Sequence, residues 1–188
     1  QSETFTITPS SGYYIKSVSC TNGYTTNAKV GAFYENSQAI TISNNKKDSD
    51  SICTVTFSNA NSTIQPIASS SYEGEIWQYK ESITRIVFQD KIEAISGTLY
   101  SYDISENKDK TVMARLVSGD SYVIPSTGST QTGYTLYIQA NGGILANQDS
   151  SYLFYKFNHL KVIEGMEYFD TSLTINMSNM FCYCEFLE

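Results

Sequence analysis

Ser151-Tyr152-Leu153-Phe154-Tyr155-Lys156-Phe157-Asn158-His159-Leu160 lies over Ser178-Asn179-Met180-Phe181-Cys182-Tyr183-Cys184-Glu185-Phe186-Leu187 at an offset of 27, with Ser, Phe and Leu coinciding at 151/178, 154/181 and 160/187. A period of this size marks a repeated supersecondary unit. One short unit cannot bury its apolar side alone and gains that burial by stacking on a neighbour. Met177, Met180, Phe181 and Cys184 have the i, i+3, i+4, i+7 spacing of a short amphipathic helix, with Ser178 near its start. Residues 160–163 read as the strand of such a unit. The expected repeat core is Leu153, Phe154, Leu160, Met177, Met180, Phe181, Cys184 and Leu187, within a repeat region covering 149–188.

Upstream, residues 72–148 read as a β-rich cap. Residues 83–92 form a strand-like run. Two hairpins are expected, one turning at Ser118-Gly119-Asp120 between 111–117 and 121–124, the other at Asn141-Gly142-Gly143 between 134–140 and Ile144. Residues 61–71, small and polar around Pro66, read as a linker.

Residues 1–60 read as a small antiparallel β-sandwich. Apolar residues alternate at Phe5 and Ile7, at Ile40 and Ile42, and at Cys53, Val55 and Phe57. Turn residues separate them at Pro9-Ser10-Ser11-Gly12, Thr21-Asn22-Gly23 and Asn44-Asn45-Lys46-Lys47-Asp48. Cys20 and Cys53 lie at the ends of two strands, and a disulfide between them would contribute about 3.5 to 4 kcal/mol in the chain-entropy model. The alternative is a pair of buried free thiols.

The fold class is therefore mainly β, a disulfide-linked sandwich followed by a β-rich cap and a short leucine-rich-type solenoid with short helices. A 27-residue helix-plus-strand unit falls within the roughly 20 to 29 residues of leucine-rich repeats. Abundant Ser, Thr, Asn and Tyr favour extended structure over long helices, and 40% hydrophobic residues suffice for a packed core. The net charge of −7 repels polyanions, and without a Lys/Arg cluster nucleic acid is not an expected partner. No run approaches the ~18 to 20 apolar residues of a membrane span, and the N-terminus lacks the basic and apolar regions of a signal peptide.

Phe169-Asp170-Thr171-Ser172, Asn176-Met177-Ser178-Asn179-Met180-Phe181, Cys184 and Leu187 resemble the BspA-like leucine-rich repeat of bacterial surface proteins. Residues 134–138 and 146–154 are similar to the segment that leads into such arrays, so the resemblance covers about 81–188. Leu173-Thr174-Ile175 stands where the family has Asn-Val-Thr, and Cys182 where it commonly has Tyr. More loosely, Gly12-Tyr13, Cys20 and Cys53-Thr54-Val55-Thr56-Phe57 resemble small repeat domains of Gram-positive surface proteins. The resemblance implies an extracellular, cell-surface adhesion role, with no catalytic residues to carry over.

Chemistry-bearing constellations are sparse. Cys182 and Cys184 are one residue apart without a second ligand pair, and His159 is the only histidine, so no metal site or cofactor is expected. Asp103, Ser105, Asn107 and Asp109 alternate like a calcium loop, but Lys108 and Ala114 stand where that loop has its glycine and glutamate; a solvated polar turn is expected. Glu73 with Glu75, or Asp90 with Glu93, is the kind of carboxylate pair that glycoside hydrolysis uses, yet no cleft is evident and a solvated face is the simpler reading. Fifteen tyrosines, several in near-pairs such as Tyr13-Tyr14, Tyr100 with Tyr102 and Tyr152 with Tyr155, suit either strand propensity or contact with proteins and glycans.

The expected function is a non-enzymatic interaction or adhesion module. Its partner would be a host or bacterial surface protein or a glycan, and membrane attachment would come only through an anchor outside these residues. A carbohydrate-binding module using exposed tyrosines is the alternative. Met177, Met180, Phe181 and Phe186 lie near the last residue of the sequence. Either further repeats or a weak homodimer through this C-terminal edge is expected to cover them, unless the segment 81–147 folds over both repeats.

Overall fold

The structure is a computed structural model and describes residues 2–9, 13–21, 25–28, 38–43, 52–59, 63–67 and 73–188. The turns expected at 10–12, 22–23 and 44–48 lie outside the described residues. The chain divides into two compact units, Gln1–Asn61 and Ser62–Glu188.

The first unit contains two antiparallel sheets. One has the order β1, β4, β3, from Ser2–Ile7, Gln38–Ser43 and Thr25–Thr26; the other pairs β2 (Tyr13–Cys20) with β5 (Cys53–Asn59). The alternating apolar runs read from the sequence lie in β1, β4 and β5. Ile15 and Ile40 are fully buried, whereas Phe5 is largely exposed. Cys20 sits opposite Cys53 in the ladder and the two are bonded. Beside them Thr21 N–H donates to Ile52 C=O at 3.1 Å, which makes Cys20 and Cys53 a pair without mutual hydrogen bonds, where side chains approach closest.

The second unit is built on a five-stranded mixed sheet of order β11, β6, β9, β8, β7. Its strands are β6 (Ile83–Gln89), β7 (Tyr100–Asp103), β8 (Met113–Val123), β9 (Thr130–Gln139) and β11 (Val162–Glu164). β11, β6 and β9 run parallel, and β8 and β7 continue antiparallel. A smaller parallel pair joins β10 (Ile144–Leu145) to β12 (Phe169–Asp170).

Neither expected hairpin forms where the sequence placed it. Ser118-Gly119-Asp120 interrupts the register inside the single strand β8, and the reversal into β9 comes at 124–129, closed by Ile124 N–H to Ser129 C=O, Gly128 N–H to Ile124 C=O and a left-handed Gly128. Asn141-Gly142-Gly143 sends β10 to β12 instead of back to β9. The glycines serve close packing: a Cβ on Gly119 would lie 2.5 Å from the Tyr134 carbonyl carbon, and one on Gly133 would lie 2.5 Å from Thr84 Cγ2 and 2.7 Å from Asp120 O. Gly133→Ala is thus expected to cost about 1–3 kcal/mol. It should appear as a lower denaturant midpoint at constant m-value; an unchanged midpoint would contradict this packing.

One core serves the whole second unit. It joins Ile86, Phe88, Leu116 and Leu136 of the sheet to Trp77, Phe154, Phe157, Leu160 and Phe169. The cap 72–148 and the repeat region 149–188 are consequently one body. Residues 63–67, read from the sequence as linker, belong to it as well: Ile64 and Ile67 are buried, Ile64 N–H donates to Leu145 C=O at 3.0 Å, and Gln65 N–H to Ile104 C=O at 2.8 Å. Two isoleucines spaced three apart inside a polar stretch are an anchor that composition alone hides.

Candidate functional site

The two segments of the internal repeat form coils stacked 27 residues apart. A ladder of backbone bonds at every second residue ties them: Ser150 N–H to Asn176 C=O (2.9 Å), Tyr152 to Ser178 (3.1 Å), Phe154 to Met180 (2.9 Å) and Lys156 to Cys182 (3.0 Å). Each coil also repeats the same internal bonds. Leu153 N–H to Ser150 C=O corresponds to Met180 to Met177, Tyr155 to Tyr152 corresponds to Cys182 to Asn179, and Phe157 to Phe154 corresponds to Cys184 to Phe181. The left-handed residues coincide too, Tyr152 (φ 58°) with Asn179 (φ 58°) and Lys156 (φ 60°) with Tyr183 (φ 64°).

This geometry corrects the helix expected over 177–184, because a right-handed helix has no place for left-handed residues. Successive tight turns take its place. An α-helix spends its N–H groups along its own axis, whereas these turns leave every second N–H pointing sideways, at the neighbouring coil. Side chains reinforce the register: Asp149 Oδ1 accepts from Ser151 N–H (3.0 Å), Asn176 Oδ1 from Ser178 N–H (3.1 Å), and Asn176 Nδ2 donates across to Asp149 Oδ1 (3.0 Å). The hydrogen bonds from Ser151, its side chain first, hold the Asp149 carboxyl below its ordinary range.

Leu153, Phe154, Leu160 and Met180 are buried, and Phe181, Cys184 and Leu187 pack against the same core half-buried. Met177, expected in the repeat core, is 52% exposed. The turn geometry rotates it off the face a helix would give it. Phe186 is also exposed, at 47%.

Rings stack in two columns through the coils. Phe154 lies 5.4 Å from Phe181 at an interplanar angle of 18°, and behind it Phe88 and Phe169 pack at 6.1 and 6.4 Å. Tyr122, His159 and Phe186 form the second column, at 4.0 and 6.0 Å. The overlay of the two segments pairs both 154 with 181 and 159 with 186, and the structure brings those pairs together.

Of the other sequence candidates, His159, Glu73, Glu75, Asp103 and Lys108 are engaged in structure. His159 Nδ1 is hydrogen-bonded to Glu81 C=O at 2.6 Å. Glu73 pairs with Lys80 at 3.4 Å, and Glu75 pairs with Lys108 and accepts from Gln65 Nε2 at 2.7 Å. In the polar turn, Asp103 accepts from Ser105 N–H and Lys110 N–H, each at 3.0 Å, while Lys108 Nζ donates to Asp103 C=O at 3.0 Å. Among the described residues no group of three or more His, Cys, Asp or Glu is placed to hold a metal ion, and no helix is long and apolar enough to cross a membrane.

Cys182 and Cys184 are both free thiols. Burial pushes the Cys184 thiol up from 9.0 to about 11, and its Sγ–H donates to Phe154 C=O at 3.2 Å. Because the folded value exceeds the unfolded one, the thiol's contribution to stability is complete below about pH 9 and is lost as pH rises through about 11. Alkylation of Cys184, followed by mass spectrometry, is expected to accelerate about tenfold per pH unit until near pH 11. A plateau near pH 8.5 would contradict this burial.

A tyrosine cluster missed in the sequence lies where β7 and β9 meet the 3₁₀ segment Glu75–Ser82. Tyr79 stacks on Tyr100 at 4.9 Å and meets Tyr134 edge-on at 5.4 Å, with its hydroxyl 3.3 Å from that of Tyr102. The hydrogen bond with Tyr102, ahead of burial, raises the Tyr79 pKa, while burial raises that of Tyr134. Only Tyr100 and Tyr102 carried a sequence signal, their near-pairing on one strand. Tyr13 and Tyr100 are exposed, and Tyr152 meets Tyr155 edge-on at 5.4 Å.

Trp77 was also missed. Its Nε1–H donates to Leu153 C=O at 2.7 Å, covering the first coil on the side away from the second.

Compared with known proteins, the chain matches no family model, no curated protein and no solved structure.

Proposed function

We propose that this chain is a non-enzymatic interaction module of a secreted bacterial cell-surface protein, acting through surface complementarity. In this reading its second unit is the cap and opening of a leucine-rich-type array of the BspA-like kind, and its first unit is a disulfide-clasped spacer. The observation that carries the reading is the 27-residue register of the two coils, in which hydrogen bonds, left-handed residues and stacked rings all recur together. Stacked units of this kind build extended faces suited to macromolecular partners. The alternative, a carbohydrate-binding module, draws on the Tyr79–Tyr100 stack, whose outer ring is 41% exposed. Binding of labelled protein to animal and bacterial cells tests both. Saturable binding abolished by treating the cells with protease is the expected result. Loss only after glycosidase treatment selects the alternative, and the absence of saturable binding contradicts both.

A further inference from the structure

Three polar side chains from separate parts of the second unit converge on one amide. Gln65 lies in the anchored segment 63–67 and is 6% exposed; its N–H donates to Ile104 C=O at 2.8 Å, and Ile64 and Ile67 beside it are buried. Glu75 opens the 3₁₀ segment Glu75–Ser82, and Lys108 sits in the polar turn that follows β7. Lys108 Nζ donates to Gln65 Oε1, the carbonyl oxygen of the side-chain amide. One Glu75 oxygen, Oε1, accepts from the same Nζ at 2.5 Å, and the other, Oε2, accepts from Gln65 Nε2 at 2.7 Å. A single carboxylate therefore bridges an amine and the amide nitrogen which that amine would displace.

The backbone holds this arrangement in place. Glu75 (φ 53°) and Lys108 (φ 55°) are both left-handed, a conformation that non-glycine residues keep only where their surroundings impose it. Lys108 is fixed further by its N–H to Ser105 C=O at 3.2 Å and by Nζ to Asp103 C=O at 3.0 Å. The Lys108 side chain is 48% exposed, and an ion pair that open to water contributes little to stability. Charge pairing alone thus leaves the two strained residues unexplained.

We propose that Lys108 and Gln65 become joined by a side-chain amide bond, formed within the chain with Glu75 as proton carrier. Glu75 takes a proton from the Lys108 ammonium, and the freed amine attacks Gln65 Cδ. The Nζ–Cδ bond forms and the Cδ–Nε2 bond breaks; Glu75 carries the amine's next proton to Nε2, which leaves as ammonia and ends as ammonium. The carboxylate is restored, and no oxidant or outside reactant is consumed. Amine and amide held this way react as if at a concentration on the order of 10⁵ M or more, with proton transfer by a positioned carboxylate adding to the rate. The exposed side of Lys108 gives ammonia its exit. The bond closes a sequence separation of 43 and fastens residues 63–67 to the polar turn. It is a single event within one chain and does not require the cell-surface reading.

Tryptic mapping of the full chain by tandem mass spectrometry tests the proposal. The expected product is a branched peptide joining residues 48–80 to 92–110, uncut after Lys108 and lighter than its two parts by one ammonia. Intact mass alone does not decide, because an Asn-Gly pair such as Asn141-Gly142 releases the same ammonia on cyclising. Glu75→Gln, close in size, is expected to lower the yield of branched peptide at least tenfold with the chemical shifts of the sheet unchanged, and Lys108→Arg to abolish it. Cleavage after Lys108 together with an unmodified Gln65 in the unaltered chain would overturn the proposal, whatever the variants do. A branched peptide formed equally well by a folded Glu75→Gln variant would overturn it too.

Discussion

Phe154→Ala is expected to remove about 3–5 kcal/mol from the second unit, and so a large part of the roughly 5–15 kcal/mol that holds a domain folded. Phe154 is fully buried and packs on Phe88, Phe157, Phe169 and Phe181, with ring centroids 5.4 to 6.4 Å away. It joins sheet, first coil and second coil in one cluster. With a urea m-value of about 2 kcal/mol/M the midpoint should fall by about 2 M. Met177→Ala is the informative partner, because exposed substitutions change stability by about 0.5 kcal/mol or less. Had residues 177–184 formed an amphipathic helix, Met177 would lie on its apolar face and Met177→Ala would cost about 2–5 kcal/mol; a loss of that size at Met177 would contradict the coil geometry.

Breaking the Cys20–Cys53 bond is expected to cost the first unit about 3.5 to 4 kcal/mol, from the sequence separation of 33 that it closes. A unit of about 60 residues buries only about 60% of the surface its unfolded chain exposes, so this loss is decisive at that size. The Cys20→Ala, Cys53→Ala double variant should lose the first unit's cooperative thermal transition or shift it down by well over 10 °C. The ring-current-shifted signals of the Phe154 cluster in the second unit should persist. A first unit equally stable without the bond would contradict the role given to it.

The parts of the fold legible in the sequence were those written in short-range alternation or in exact repetition. Strands β1, β4, β5, β6 and β9 follow from apolar alternation and β-branched runs, and the 27-residue offset anticipated the contacts of Phe154 with Phe181 and of His159 with Phe186. Cys20 and Cys53, at the ends of neighbouring runs, pointed to their bond. The helix was misread because Met177, Met180, Phe181 and Cys184 satisfy helical spacing by coincidence; nothing in Tyr152, Lys156 or Tyr183 announces a left-handed backbone, a conformation that ordinarily favours Gly or Asn. A local signal did exist: Asp149-x-Ser151 and Asn176-x-Ser178 are the Asx turns that start each coil. The misplaced hairpins have different causes. Gly119 carries turn-type residue identity, but its role is to let strands approach, which only long-range packing reveals, whereas Asn141-Gly142-Gly143 leads into β10, whose partner β12 lies far along the chain. The ladder between the coils was invisible in the sequence as well, since it depends on which way each N–H turns once the coils stack.

Amide hydrogen exchange on the free protein tests the coil stack most directly. Ser150, Tyr152, Phe154 and Lys156 should exchange slowly, approaching the rates of β6 and β9, while Met177, Asn179, Phe181 and Tyr183 exchange at nearly unprotected rates. Equal, fast exchange at all eight would contradict the ladder between the coils, and continuous protection over 177–184 would restore the helix.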